Sequence, residues 1–177
     1  ILGMGHLVRS MEIVRGLMLD FQICFLNGGQ IIKEFTIPDG IEVVNLPAIK
    51  TDAEFKQLTP VDSSLSLAEV QEIRKNQLLK VADEFQPDVL MIELFPFGRG
   101  KFSFELIPLL EKLQASEKPV KIVSSLRDIV VTKTNQEKYE NKVCRLMNQY
   151  FDMLLIHGDK NFVPLDESFS RVKDIQS

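Results

Sequence analysis

The chain opens on residue types that can hold an anion or move a proton: Gly3-Met4-Gly5-His6-Leu7-Val8-Arg9. Glycines at 3 and 5 let the backbone come close to a ligand, and a helix starting near His6 would aim its free amide groups at an anion. His6 stands at the amino end of that helix, with Arg9 one turn later on the same side. The positive end of the helix dipole disfavours a charged ring, which suits His6 as a proton acceptor near neutral pH. The plainer reading makes Gly-Met-Gly a turn and His6 its cap, and the spacing alone leaves both open. A dinucleotide site is not expected. Its fingerprint needs glycine at position 8, where Val8 stands, and an acid after the next strand, where Asn27 stands.

Three more segments offer polar groups just after apolar runs: Glu93 to Lys101, Ser124 to Asp128 and His157 to Asp159. Glu93 closes a buried run, where an unpaired carboxylate is costly, so it either faces a ligand or pairs with Arg99 or Arg127. Phe95, Pro96 and Phe97 offer either an apolar acceptor surface or core packing. Arg127 and Asp128 read as cleft residues or as an ion pair capping the next segment. His157 reads first as a strand-end residue and only second as a catalyst. No DxD motif or His/Cys cluster has metal-ligand spacing, so neither metal nor cofactor is expected.

Alternating elements must position these groups. Leu7, Met11, Val14 and Met18 recur at helical steps over His6 to Leu19, followed by strands at Gln22 to Leu26 and Ile41 to Leu46. Pro47 to about Ser66 has no clean period and reads as a long connection. Ser66-Leu67-Ala68-Glu69 fits a capping box, opening a helix with Val70, Ile73, Leu78, Val81, Ala82 and Phe85 inward and its charges on a solvated face, ending before Pro87. Then come a strand (Asp88 to Ile92), a helix (Phe102 to Leu113, with Pro108 a possible kink), and a strand (Val120 to Ser124). A second capping box at Thr134-Asn135-Gln136-Glu137 precedes a helix through Tyr150, and Met153 to Ile156 is the last strand. Five strands alternating with helices predict an α/β fold: a Rossmann-like open parallel sheet with helices on both faces. Ligands of such sheets bind beyond the carboxyl ends of the strands, which is where the four polar segments fall.

Composition excludes several classes. The 177 residues are 45% hydrophobic and 26% charged, the profile of a globular domain large enough to bury a full core. Twenty-one Lys and Arg against 25 Asp and Glu, with no run of five like charges, leave no footprint for nucleic acid or an anionic membrane. No apolar run reaches the roughly 18 residues of a membrane span. Cys24 and Cys144 lie apart in apolar stretches and read as reduced, buried thiols, so a cytoplasmic setting is expected.

The segment Ile1-Leu2-Gly3-Met4-Gly5-His6-Leu7-Val8-Arg9-Ser10 resembles the GxGHxxR stretch that follows the first strand in GT-B glycosyltransferases of the MurG-like, family 28 kind. It is similar above all to a bacterial group of predicted glycosyltransferases. In that group Phe25-Leu26-Asn27-Gly28-Gly29, Glu93-Leu94-Phe95-Pro96-Phe97-Gly98-Arg99 and Ser125-Leu126-Arg127-Asp128-Ile129 also recur, so the likeness spans essentially the whole chain.

The resemblance implies a bilobal enzyme, with residues 1–177 as its N-terminal, acceptor-side domain lacking a first strand, and with the nucleotide-sugar domain outside this chain. It implies sugar transfer from a nucleotide-sugar to a small-molecule or lipid acceptor, with membrane contact at most peripheral and the isolated domain inactive. It implies that His6 is the general base or contacts the reacting groups. Gly3, Gly5, Arg9, Glu93, Phe97, Arg99, Arg127 and Asp128 would line the acceptor or diphosphate. One departure from MurG is that the second glycine loop is replaced by Glu93 to Arg99. A nucleotide-sugar hydrolase or epimerase of the same fold is the alternative enzyme, and a non-catalytic domain binding a sugar nucleotide or a protein is the alternative of another class.

Overall fold

The structure is a computed structural model that describes residues 4–32, 36–52, 57–127, 129–159 and 161–176. Its contacts divide the chain into two compact units, Ile1–Phe85 and Gln86–Ser177.

In the first unit, helix α1 (Met4–Leu17) buries Met11 and Val14, the centre of the stripe read from the sequence. Strands β1 (Cys24–Asn27) and β2 (Glu42–Asn45) pair in parallel, with Cys24 opposite Glu42 and Asn27 opposite Asn45. The Asn27 amide donates across the pair to Asn45 Oδ1 at 2.9 Å. The stretch after Pro47, which reads in sequence as a long connection without a clean period, holds a small antiparallel pair, β3 (Ile49–Thr51) and β4 (Leu58–Pro60). Strands of three residues are too short to show a period in sequence.

Helix α2 (Leu67–Phe85) begins with the expected box: Glu69 N donates to Ser66 Oγ at 3.3 Å, and Ser66 N to Glu69 Oε2 at 2.8 Å. Its inner face needs two corrections. Ile73, expected inside, is 42% exposed, whereas Arg74, assigned to the solvated face, is only 2% exposed. Val70, Arg74 and Leu78 are spaced by four, so the guanidinium lies in the middle of the buried stripe. It is tolerated because it is hydrogen-bonded: Nη1 donates to Gly28 O at 2.9 Å and to Pro47 O at 2.8 Å. These carbonyls belong to the segments leaving β1 and β2, so one side chain ties both strand exits to the helix.

In the second unit, β5 (Val89–Glu93), β6 (Lys121–Arg127) and β7 (Met153–His157) form a parallel sheet in the order β5-β6-β7. Residues Ile122 to Leu126 are all buried, so the central strand is covered on both faces, as parallel strands usually are. Helix α3 (Ser103–Gln114) follows a 3-10 turn and carries Pro108, with Leu109, Leu110 and Leu113 buried. Helix α4 (Gln136–Tyr150) starts one residue later than expected. Asn135 rather than Thr134 is its N-cap, accepting from Lys138 N at 3.1 Å. The segment after β7 forms two 3-10 turns and is anchored to α4: Glu140, 3% exposed, accepts from Ser170 Oγ, Ser170 N and Gln136 Nε2.

The protein is therefore mixed α/β with parallel strands. Among the described residues the strands form three small sheets, of two, two and three strands, rather than one continuous ladder. No described helix is long and apolar enough to cross a membrane.

Candidate functional site

The parallel sheet of the second unit brings three polar side chains into line at its carboxyl end. Glu93 on β5 sits opposite Ser125 on β6, and Arg127, two residues further on, sits opposite His157 on β7. Side chains alternate along a strand, so these positions share one face. Ser125 Oγ donates to Glu93 Oε2 at 2.8 Å and lies 3.0 Å from His157 Nε2. The single hydroxyl proton is directed at the carboxylate, so the second contact is completed by an Nε2–H of His157 donating to Ser125 Oγ. The result is a carboxylate–hydroxyl–imidazole line across three strands, with Ser125 itself 1% exposed. It differs from a serine-nucleophile triad, because the serine rather than the histidine stands in the middle.

Of these three, Glu93 is an expected site residue, Ser125 falls in the polar segment Ser124 to Asp128 with no role of its own, and His157 reads chiefly as a strand end. The signal that identifies them is register: Glu93 and His157 end β5 and β7, and Ser125, two residues before the end of β6, pairs with Glu93. Arg127 is half-buried, and its Nε donates to Ile129 O at 2.7 Å. Asp128, its expected partner, lies outside the described residues.

Beyond β5 the chain makes a tight loop. Leu94 (φ 68°) and Arg99 (φ 54°) both adopt left-handed backbone, a conformation that costs a non-glycine residue roughly 1–3 kcal/mol and collects at functional sites. Gly98 N donates to Leu94 O at 2.7 Å, and a Cβ on Gly98 would stand 2.7 Å from Leu94 Cδ2, so a larger residue here would have to displace the Leu94 side chain. Phe95 and Phe97 point into the core, 0% and 2% exposed, the latter edge-on to Phe169 with ring centroids 5.2 Å apart. Arg99 is exposed.

At the start of α1, half-buried His6 and Arg9 meet. Arg9 Nη2 is 3.0 Å from His6 Nδ1. A guanidinium only donates, so Nδ1 presents its lone pair and the ring proton is on Nε2. In this tautomer the Nε2–H of His6 is a hydrogen-bond donor. A Cβ added at Gly5 would meet nothing within 4 Å, and Gly3 lies outside the described residues.

Neither cysteine has the lowered thiol pKa of an activated nucleophile. Burial, helped by the Glu42 carboxylate, pushes the Cys24 thiol up to about 11, and burial raises that of Cys144 as well. Among the described residues no group of three or more His, Cys, Asp and Glu is placed to hold a metal ion. A hollow of about 450 Å³ lies at the opposite end of the sheet, lined by Val120 to Ile122 and Asn148 to Asp152, away from these groups.

Comparison with protein-family models, with curated proteins and with solved structures yields no match to this chain.

Proposed function

We propose that the chain is the acceptor-side domain of a GT-B glycosyltransferase, with a Rossmann-like open parallel sheet, acting on a nucleotide-sugar and a hydroxyl-bearing acceptor. The observation that carries this reading is the Glu93–Ser125–His157 line at the carboxyl ends of three parallel strands, where α/β sheets bind ligands. The likeness of the segments around His6, Asn27, Glu93 and Arg127 to those of family 28 enzymes supports it.

In sugar transfer the acceptor oxygen bonds to the anomeric carbon, the bond from that carbon to the diphosphate breaks, and the acceptor loses its proton. A base must take the proton, and the leaving diphosphate's charge must be stabilised. The line offers an imidazole whose acquired charge is balanced through Ser125 by a carboxylate, the logic by which an acid supports a catalytic histidine. His6, held as the Nε2–H tautomer by Arg9, donates to a reacting oxygen. The same likeness assigns ligand binding to Gly3 and Gly5 in the first unit and to Arg99, Arg127 and Asp128 in the second, and nucleotide recognition falls to a second domain.

Product analysis of the whole gene product tests this, using a panel of nucleotide-sugars with and without hydroxyl acceptors. The expected outcome is a glycosylated acceptor plus nucleoside diphosphate. Acceptor-independent release of free sugar or sugar phosphate would mean a hydrolase. Absence of turnover, with ligand binding unchanged in His6→Ala, would mean a non-catalytic domain.

A further inference from the structure

We infer that the pocket between the Leu94–Gly100 loop and α4 binds the phosphate group of a small organic phosphate, through Lys133 and Lys142 with Arg99 at the rim. The pocket is about 190 Å³ and is lined by residues 95–100 together with Lys133, Tyr139, Lys142, Val143 and Leu146. A water occupies about 30 Å³ of liquid, so the space is that of roughly six waters, enough for a phosphate and a small body attached to it.

Its charge is one-sided. Three cations line it and no carboxylate does, although residues 86–177 as a whole carry thirteen Lys and Arg against thirteen Asp and Glu. Like charges so gathered repel one another in the empty pocket, and a bound anion relieves this. Lys133 and Lys142 are exposed, and neither forms an ion pair with a described carboxylate. Lys133 Nζ lies 5.9 Å from the Tyr139 ring centroid, and Lys142 Nζ reaches the Gly100 backbone, 4.0 Å from where a Cβ would be.

The walls of the pocket are held together by a hydrogen bond and by packing. Tyr139 OH donates to Phe97 O at 2.7 Å, joining α4 to the loop, and Phe95, Phe97, Val143 and Leu146 beneath are buried. The left-handed backbone at Arg99 sets that residue at the mouth of the pocket rather than leaving it to an ordinary turn. The combination of an apolar floor and a cationic rim fits a phosphate carried by a less polar body, not a free carboxylate or a nucleic-acid strand.

The test is direct titration of the chain by two-dimensional amide NMR with inorganic phosphate and with phenyl phosphate, using sodium chloride at matched ionic strength as the control. Expected are saturable shifts confined to residues 98–100 and the start of α4, tighter for phenyl phosphate, and weakened at least tenfold in Lys133→Ala/Lys142→Ala. Lys138→Ala, which removes an exposed charge from the same helix outside the pocket, should weaken binding less than threefold. Thermal unfolding confirms that all variants are folded. Non-saturable shifts, or equal losses in Lys138→Ala and the double variant, would overturn the inference. The readout is binding without turnover, so a failure of sugar transfer in the whole gene product leaves it standing, and its failure leaves the transferase reading untouched.

Discussion

Arg74 and Gly28 are fitted to one another. The guanidinium donates to Gly28 O at 2.9 Å while a Cβ added to Gly28 would come to 2.9 Å from Arg74 Nη2. The glycine is there because a buried cation occupies the space where its side chain would be. A hydrogen bond from a charged donor contributes about 1.5–3 kcal/mol, and stranding a buried carbonyl costs about 1–3 kcal/mol. Arg74→Ala is therefore expected to destabilise the chain by at least about 3 kcal/mol, measured by urea unfolding. Gly28→Ala should cost less, about 1–3 kcal/mol, through overpacking against a side chain that has nowhere to retreat. Paired with Arg74→Ala, its cost should shrink, which a double-mutant cycle reads directly.

Removing the hydroxyl from Ser125 leaves Glu93 and His157 without their shared partner. Ser125→Ala is expected to cost about 1–3 kcal/mol of stability. It should also change the protonation pattern of the His157 ring, which long-range proton–nitrogen NMR reports site by site. An unchanged Nε2 resonance would show that the serine does not orient the ring.

The Arg9 contact makes His6 a donor through Nε2, and that separates two catalytic roles. If His6 donates to a reacting oxygen, His6→Gln, whose amide NH₂ donates from a similar place, should retain more transfer activity in the whole gene product than His6→Ala. If His6 removes the proton, both variants should fall together by about 10²–10⁴-fold. Arg9→Ala should release the tautomer, visible as a proton shared between the two ring nitrogens of His6.

Glu140 ties the segment at Ser170 to α4 and makes stability depend on acid. Burial by itself raises its carboxyl, but the hydrogen bonds from Ser170 and Gln136 outweigh this, so the folded value lies below the ordinary 4.5. A depressed carboxyl stabilises the fold fully above about pH 4.5, and that contribution disappears as pH falls through the folded value. Stability of the wild type should accordingly drop below pH 4.5 more steeply than that of Glu140→Gln, as followed by chemical unfolding at stepped pH. Parallel curves would assign the acid sensitivity elsewhere, with Asp152, lowered chiefly by its bond from the Ile122 amide, the next carboxylate to replace.

Much of the secondary structure was legible in the amino-acid order because it rests on local physics. The Ser66 capping box, the α1 stripe of Met11 and Val14, and the strand runs at 88–92, 120–124 and 153–156 each reflect a period or a cap that neighbouring residues satisfy by themselves. The positions of the polar strand-end residues were legible too, since they follow those runs. Pairing and depth were not. A charge at position 74 looks like any other surface charge until two carbonyls from distant strand exits converge on it. Ser125 looks like a small strand residue until register sets Glu93 on one side and His157 on the other. The exposed lysines 133 and 142 gain meaning only when the loop after β5 folds back under α4. The sequence by itself determined the elements and the chemical types at their ends. The tertiary structure decided which of those groups meet, because hydrogen-bond partners and burial depend on residues about 30 to 45 positions apart, beyond the reach of any local pattern.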